Sequence, residues 1–107
     1  MNVITNNNIR CTIILAVLQD VMDPEIGLNV VDLGLIYQVD FDDADMNIFV
    51  SMTLTTQFCP MGGSIVDAVT RAIQHAFTGY EVKVNLTFDP PWKNEMISAA
   101  GQEFLNQ

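Results

Sequence analysis

The sequence predicts an α/β sandwich, a small mixed three-stranded sheet packed with helices in the order α-β-β-α-β-α. Three observations carry that expectation. Two stretches, 9–21 and 60–79, repeat apolar residues at helical spacing, and three stretches near residues 35–54 and 82–88 alternate apolar and polar residues as strands do. A hairpin followed by a helix and a returning strand closes into a sheet covered by helices. The chain of 107 residues is long enough for one modest core, so residues 1–107 are expected to form one domain, with 1–8 a loosely ordered N-terminus.

In chain order, Asn8 is placed to cap a helix from Ile9 to about Gln19. Ile14, Val17, Leu18 and Val21 form its apolar stripe, widened by Cys11 and Leu15. Pro24 disfavours helix at Asp23, so "DPEIGLNVVDLG" (23–34) reads as an irregular connection bounded by Gly27 and Gly34. Leu35, Tyr37, Val39 and Phe41 then share one strand face; Met46, Ile48, Val50, Met52 and Leu54 share one face of the next. The acidic turn "DDAD" makes the two a hairpin. Pro60 suits the first turn of a second helix, whose stripe is Ile65, Val69, Ala72, Ile73 and Ala76, with Gly79 at its C-terminal end. Val82, Val84, Leu86 and Phe88 alternate as a third strand reached by a right-handed crossover. "DPPW" (89–92) breaks that strand, and a short helix near Ala99 to Leu105 closes the chain.

Composition narrows the function. Thirteen acidic residues against four basic ones give a net charge of −9. That argues against nucleic acid and against anionic membrane surfaces, both of which select clustered Lys and Arg. Two cysteines make no disulfide framework. "TIILAVL" is too short to span a bilayer, and the N-terminus lacks the layout of a secretory signal, so a reduced, cytoplasmic protein is expected.

The stretch with most chemical content is "TLTTQFCPMGG" (53–63). If Pro60 opens a helix, Cys59 is its N-cap, beside unpaired N–H groups at the positive end of the helix dipole. That position favours the thiolate, the form that attacks electrophiles and binds metals. Gly62 and Gly63 clear the first turn for a ligand or partner, and Thr55 and Thr56 add hydroxyl donors. A lone cysteine is more ordinarily a small core residue, the reading given to Cys11. One further cysteine and His75, late in a helix, do not complete a four-ligand structural zinc site with Cys59. A cysteine hydrolase would need His75 to cross the length of that helix. In the connection, Asp23, Glu25 and Asp32 have ordinary duties available, Asp23 turning onto its own backbone and Asp32 capping the bend before Gly34. The functional alternative places one of these carboxylates near Cys59 as a ligand or proton acceptor. Trp92 fills core space or, if exposed, anchors a partner.

Together "DPEIGLNVVDLGLIY", "MTLTTQFCP" and "DPPW", three separated motifs in order, resemble the iron–sulfur assembly domain shared by SufT-like, PaaD-like and MIP18-type proteins. The resemblance runs from about Ile13 to Leu105. It implies an α/β fold and a non-enzymatic role in maturing or delivering iron–sulfur clusters, with iron–sulfur assembly proteins and recipient apo-proteins as partners. It places the family's Asp-Pro-Glu on Asp23, Pro24 and Glu25, and its Asp-Leu-Gly on Asp32, Leu33 and Gly34. Its threonine pair and reactive cysteine fall on Thr55, Thr56 and Cys59, and its proline–tryptophan pair on Pro91 and Trp92. Gln57 stands where relatives often have proline. No cofactor is expected to be permanently bound; Cys59 would hold iron or a cluster transiently. One such cysteine cannot complete a four-thiolate cluster site, which favours a homodimer or a transient complex. The competing readings are a metal-free adaptor for the assembly machinery and a thiol or persulfide-carrying enzyme.

Overall fold

The computed structural model describes residues 3–56 and 62–106. Strands β1 (Ile4–Thr5), β4 (Ile36–Asp42), β5 (Asn47–Met52) and β6 (Glu81–Leu86) form one sheet in that spatial order; β2 (Met22–Asp23) and β3 (Leu28–Asn29) form a separate ribbon. Helices α1 (Asn8–Leu18), α2 (Gly62–Ala76) and α3 (Ala99–Leu105) complete the α/β fold that the periodicities predict.

The sheet has four strands where three are expected, because the opening segment is not loose. Ile4 and Thr5 pair in parallel with Gln38 and Val39. The Asn6 amide extends the pairing: its Nδ2 donates to the Phe41 carbonyl at 2.8 Å, and its Oδ1 accepts from the Phe41 N–H at 2.9 Å. Asparagine thus supplies both halves of a peptide-like pair on a sheet edge that would otherwise stay open. The helix cap falls one residue earlier than expected, on Asn7, whose extended backbone lets its side chain accept from the Arg10 N–H at 3.0 Å.

The hairpin β4–β5 is antiparallel, and β5–β6 is parallel in unbroken register from Asn47↔Glu81 to Met52↔Leu86. Cys11, Ile14 and Leu18 of α1, and Ile65, Val69 and Ile73 of α2, bury against Val39, Phe41, Ile48, Val50 and Met52. Two strand-face expectations fail for backbone reasons. A bulge between Ile36 and Gln38 takes Tyr37 off the Leu35–Val39–Phe41 face and buries Ile36 in its place. Met46 has φ 56 and lies in the turn, 42% exposed, so it does not share the face of Ile48. Gly79 (φ +90) stands in the turn from Phe77 to Tyr80 after α2, and His75 is exposed near the end of that helix. The placement of Pro60 in a first helical turn concerns a residue outside those described.

The far end of the sheet is riveted by Arg10. Its guanidinium makes two 2.7 Å bonds to the Asp43 carboxylate and lies 4.5 Å from the Phe41 ring centroid, while the Tyr80 hydroxyl donates to Asp43 at 2.7 Å. Helix α1, the β4–β5 turn and the entry to β6 are thereby joined.

Candidate functional site

At the other end of the sheet, where the parallel strands β5 and β6 finish, the three motif-bearing segments meet. The carboxyl end of parallel strands is where ligand sites form in open α/β sheets, because the chain must turn away there and leave a crevice. The convergence is built from individual backbone bonds. The Thr53 N–H donates to the Leu35 carbonyl at 2.8 Å, joining the threonine run to the end of the acidic connection. The Thr87 N–H donates to the Met52 carbonyl at 2.8 Å, bringing the chain that leaves β6 to the same place. The Trp92 indole Nε1–H donates to the Leu33 carbonyl at 2.6 Å, so "DPPW" is bonded to "DLG".

Asp32 is the polar hinge of this assembly. Its Oδ2 accepts from the Asn29 amide at 2.7 Å and its Oδ1 from the Ser98 hydroxyl at 2.8 Å; its own N–H donates to Asn29 Oδ1 at 2.8 Å. The Ser98 N–H also donates to the Asp32 carbonyl at 2.8 Å, and the Ser98 hydroxyl oxygen caps α3 by accepting from the Gly101 N–H at 3.0 Å. The glycines explain how closely the pieces approach. Gly34 has φ +79, and a Cβ there would strike the Met96 carbonyl oxygen and come within 2.9 Å of the Met96 Cβ. Gly101 is buried, and a Cβ there would lie 2.8 Å from Ile97 and 2.9 Å from Leu28. Only residues without side chains let α3 and the preceding turn lie flat on the acidic connection.

Asp23 is 1% exposed, yet its duty is local. Its Oδ1 accepts from the Glu25 N–H at 2.9 Å, and its carbonyl accepts from the Gly27 N–H at 2.8 Å, closing the turn between β2 and β3. Glu25 is exposed on that turn. Both ordinary duties weighed for the carboxylates are therefore present: Asp23 makes the turn, and Asp32 holds the bend, with the added task of docking α3. Thr55 is half-buried and Thr56 exposed in the chain leaving β5, and Gly62 and Gly63 open α2. Cys59 lies outside the described residues, in the connection 57–61 between Thr56 and Gly62. Trp92 is half-buried, packed against the core and held by Leu33, so its ring serves packing first.

Two contributors were not visible as site residues from the sequence. Tyr37, displaced outward by the bulge, donates its hydroxyl to the Pro90 carbonyl at 2.9 Å, and burial pushes its phenol pKa up, so it remains a donor at neutral pH. Ser98 followed by a helical run is an N-cap signature, and Gly101 inside that run is the mark of close packing. Together with Gly34, Ile36, Met96 and Ile97, Tyr37 and Ser98 line a groove of about 620 Å³ beside the cluster. Among the described residues, no three His, Cys, Asp or Glu side chains converge as a metal-ligand group, and no helix is long and apolar enough to cross a membrane.

Residues 12–89 match the family described as iron–sulfur cluster assembly protein. The chain is 41% identical over 78 residues to the Fe-S protein maturation auxiliary factor SufT of Staphylococcus aureus (strain USA300), covering 73% of this chain and 88% of that relative. It is 44% identical over 85 residues to an Fe-S protein maturation auxiliary factor of Porphyromonas gingivalis (strain ATCC BAA-308 / W83), covering 79% and 80%. In structure it is similar to a domain of unknown function, DUF59, from Bacillus anthracis, with 35% identity and a TM-score of 0.83 over 89% of this chain and 90% of that one.

Proposed function

The chain belongs to the iron–sulfur cluster assembly protein family, and from that premise we propose that it is a non-catalytic maturation factor that helps pass iron–sulfur clusters to recipient proteins. The observation that carries the reading is the match over residues 12–89 to the family, together with two curated relatives named as Fe-S maturation auxiliary factors. The geometry supports it. Three segments rich in motif residues are bonded together at the end of β5 and β6, and the connection bearing Cys59 leaves from that place.

In this reading the cluster is cargo. Cys59 contributes one thiolate, and the remaining ligands come from a partner, a second copy or a small thiol, because a four-thiolate cluster needs more sulfur than this connection holds. An incompletely ligated cluster is displaced readily, which suits a protein that hands its cargo on. Asp32, Ser98, Gly34 and Trp92 hold together the described segments that converge at the end of β5 and β6.

The test is anaerobic reconstitution with ferrous iron and sulfide, followed by transfer to a plant-type apo-ferredoxin. The wild-type chain is expected to acquire a visible chromophore that elutes with it and then appears on the ferredoxin; Cys59→Ala is expected to acquire none. A chromophore unchanged by Cys59→Ala would remove that residue as a ligand. Absence of colour in both folded proteins would leave the metal-free adaptor as the reading to pursue.

A further inference from the structure

Strand β6 ends the spatial order β1-β4-β5-β6, so among the described residues no strand pairs with its outer edge. Two backbone bonds fix which of its peptide groups face that edge. The Glu81 N–H donates to the Met46 carbonyl and the Thr87 N–H to the Met52 carbonyl, with unbroken register between them. Odd-numbered residues therefore turn their peptide groups toward β5, and Val82, Val84 and Leu86 turn theirs outward. The strand "EVKVNL" holds no proline, and no bulge interrupts it. Such an edge is a template for another strand.

The charges along the edge select the strand that fits it. Glu81 and Lys83 are the charged residues of β6, and they flank buried Val82 with side chains 69% and 52% exposed. Their own ion pair is loose, at 4.0 Å. A strand laid antiparallel here is favoured when it sets a cation opposite Glu81 and an anion opposite Lys83, with one residue between. β6 read in reverse is that strand. Lys83 is also one of four lysine and arginine residues in a chain of net charge −9, so each copy brings a scarce cation to the other's carboxylate. We propose that two copies of the chain pair antiparallel through their β6 edges, about a twofold axis at Val82, joining the two sheets into one continuous sheet.

The register follows from the same alternation, which admits an axis at Val82, Lys83 or Val84. At Lys83, lysine would face lysine. At Val84, Lys83 would face Asn85 and Glu81 would face Thr87. At Val82, each charge faces its opposite as a non-hydrogen-bonded pair, the closer kind of cross-strand neighbour. Val82 then exchanges both of its peptide hydrogen bonds with Val82 of the other copy, and the Val84 N–H meets the outward Tyr80 carbonyl of that copy. The paired stretch, 80–84, is short, so the association is weak and concentration-dependent. The inference does not depend on cluster binding or on Cys59.

Sedimentation velocity over a range of concentrations tests it, alongside amide hydrogen exchange read residue by residue by NMR. The chain of 11.9 kDa is expected to move from monomer toward twice that mass as concentration rises. Over the same range the Val82 and Val84 amides are expected to gain about tenfold or more in protection. Glu81→Lys and Lys83→Glu are each expected to weaken pairing by about tenfold or more, with unchanged circular dichroism spectra because both side chains are exposed. An equimolar mixture of the two variants is expected to pair again as a heterodimer, one edge carrying two lysines and the other two glutamates. That rescue cannot arise from a folding defect. A wild-type chain that stays monomeric at every concentration overturns the proposal and leaves Lys83 as a guard that keeps other strands off the edge. So does a dimer whose Val82 and Val84 amides gain no protection, a dimer that both variants leave unchanged, or a mixture that fails to pair.

Discussion

The Asp32 carboxylate accepts from the Ser98 hydroxyl at 2.8 Å, and the same hydroxyl oxygen accepts from the Gly101 N–H at 3.0 Å. One serine thus caps α3 and fastens it to the acidic connection. The bond to a half-buried carboxylate is of the stronger kind, with a typical net contribution of about 1.5–3 kcal/mol. Asp32→Ala and Ser98→Ala are each expected to lower stability in urea denaturation. Because they remove the two ends of one bond, the double variant should lose less than the sum of the singles, with a coupling of about 1–2 kcal/mol. Additive losses would mean that the pair does not hold α3. The same variants separate scaffold from chemistry: a cluster-ligand role for Asp32 would impair iron–sulfur reconstitution in Asp32→Ala beyond the effect of Ser98→Ala.

Gly27 and Gly34 both take left-handed backbone, with φ +81 and +79, but their surroundings differ. At Gly27 an added Cβ would meet nothing within 4 Å, so Gly27→Ala carries only the backbone strain, about 1 kcal/mol. At Gly34 the Cβ would run into the Met96 backbone, which cannot step aside without lifting the 94–96 turn from the connection. Gly34→Ala is therefore expected to lose about 3 kcal/mol or more. Thermal unfolding followed by circular dichroism ranks the two; equal losses would show that Met96 gives way easily.

How much of this could be read in advance depended on the range of the interaction. Short-range patterns were legible: the stripe Ile65–Val69–Ile73 is buried, and the last helix spans Ala99–Leu105 as expected. So was the family, through three motifs that the fold brings to one end of the sheet. What escaped were long-range pairings that leave no periodic mark. Asn6 completes an edge strand with Phe41, 35 residues away, and Asp32 finds Ser98 at a separation of 66. The bulge at Tyr37 is equally silent, since Leu35, Tyr37, Val39 and Phe41 alternate well in sequence while the backbone shifts their phase. Asp23 was legible as a turn former in a connection whose hydrophobic residues predict packing, and it is 1% exposed.

The Arg10–Asp43 pair makes a pH prediction. The hydrogen bond from Arg10, helped by one from Tyr80, holds the Asp43 carboxyl at about 2, below its ordinary 3.8. A pKa depressed in the folded state means that the folded chain binds its proton less readily than the unfolded one. The resulting stability is fully present above about pH 4 and fades as pH falls from there through about 2. The Asp43 side chain is 61% exposed, so water and salt screen the pair and the contribution is small. Asp43→Asn should flatten the decline of stability over that interval relative to wild type, and the difference should shrink in high salt. Parallel urea-denaturation curves for the two proteins between pH 5 and pH 2 would count against the pair.

The two cysteines should differ sharply toward alkylation. Cys11 is 3% exposed in the core, and burial is the main cause that pushes its thiol pKa above the ordinary value. A thiol that is both shielded and kept protonated is inert while the protein stays folded. Cys59 precedes Pro60, Gly62 and Gly63 in the sequence, and the thiolate-favouring position expected for it from that pattern predicts reaction with iodoacetamide near neutral pH. Brief treatment at pH 7, then digestion and mass spectrometry, should find the label on Cys59 and not on Cys11, with both labelled once urea is added. Label on Cys11 in the folded protein would show that α1 opens readily from the sheet. A Cys59 rate that rises only above about pH 8, as for an unperturbed thiol, would deny it an activated thiolate and count against the persulfide-carrying alternative.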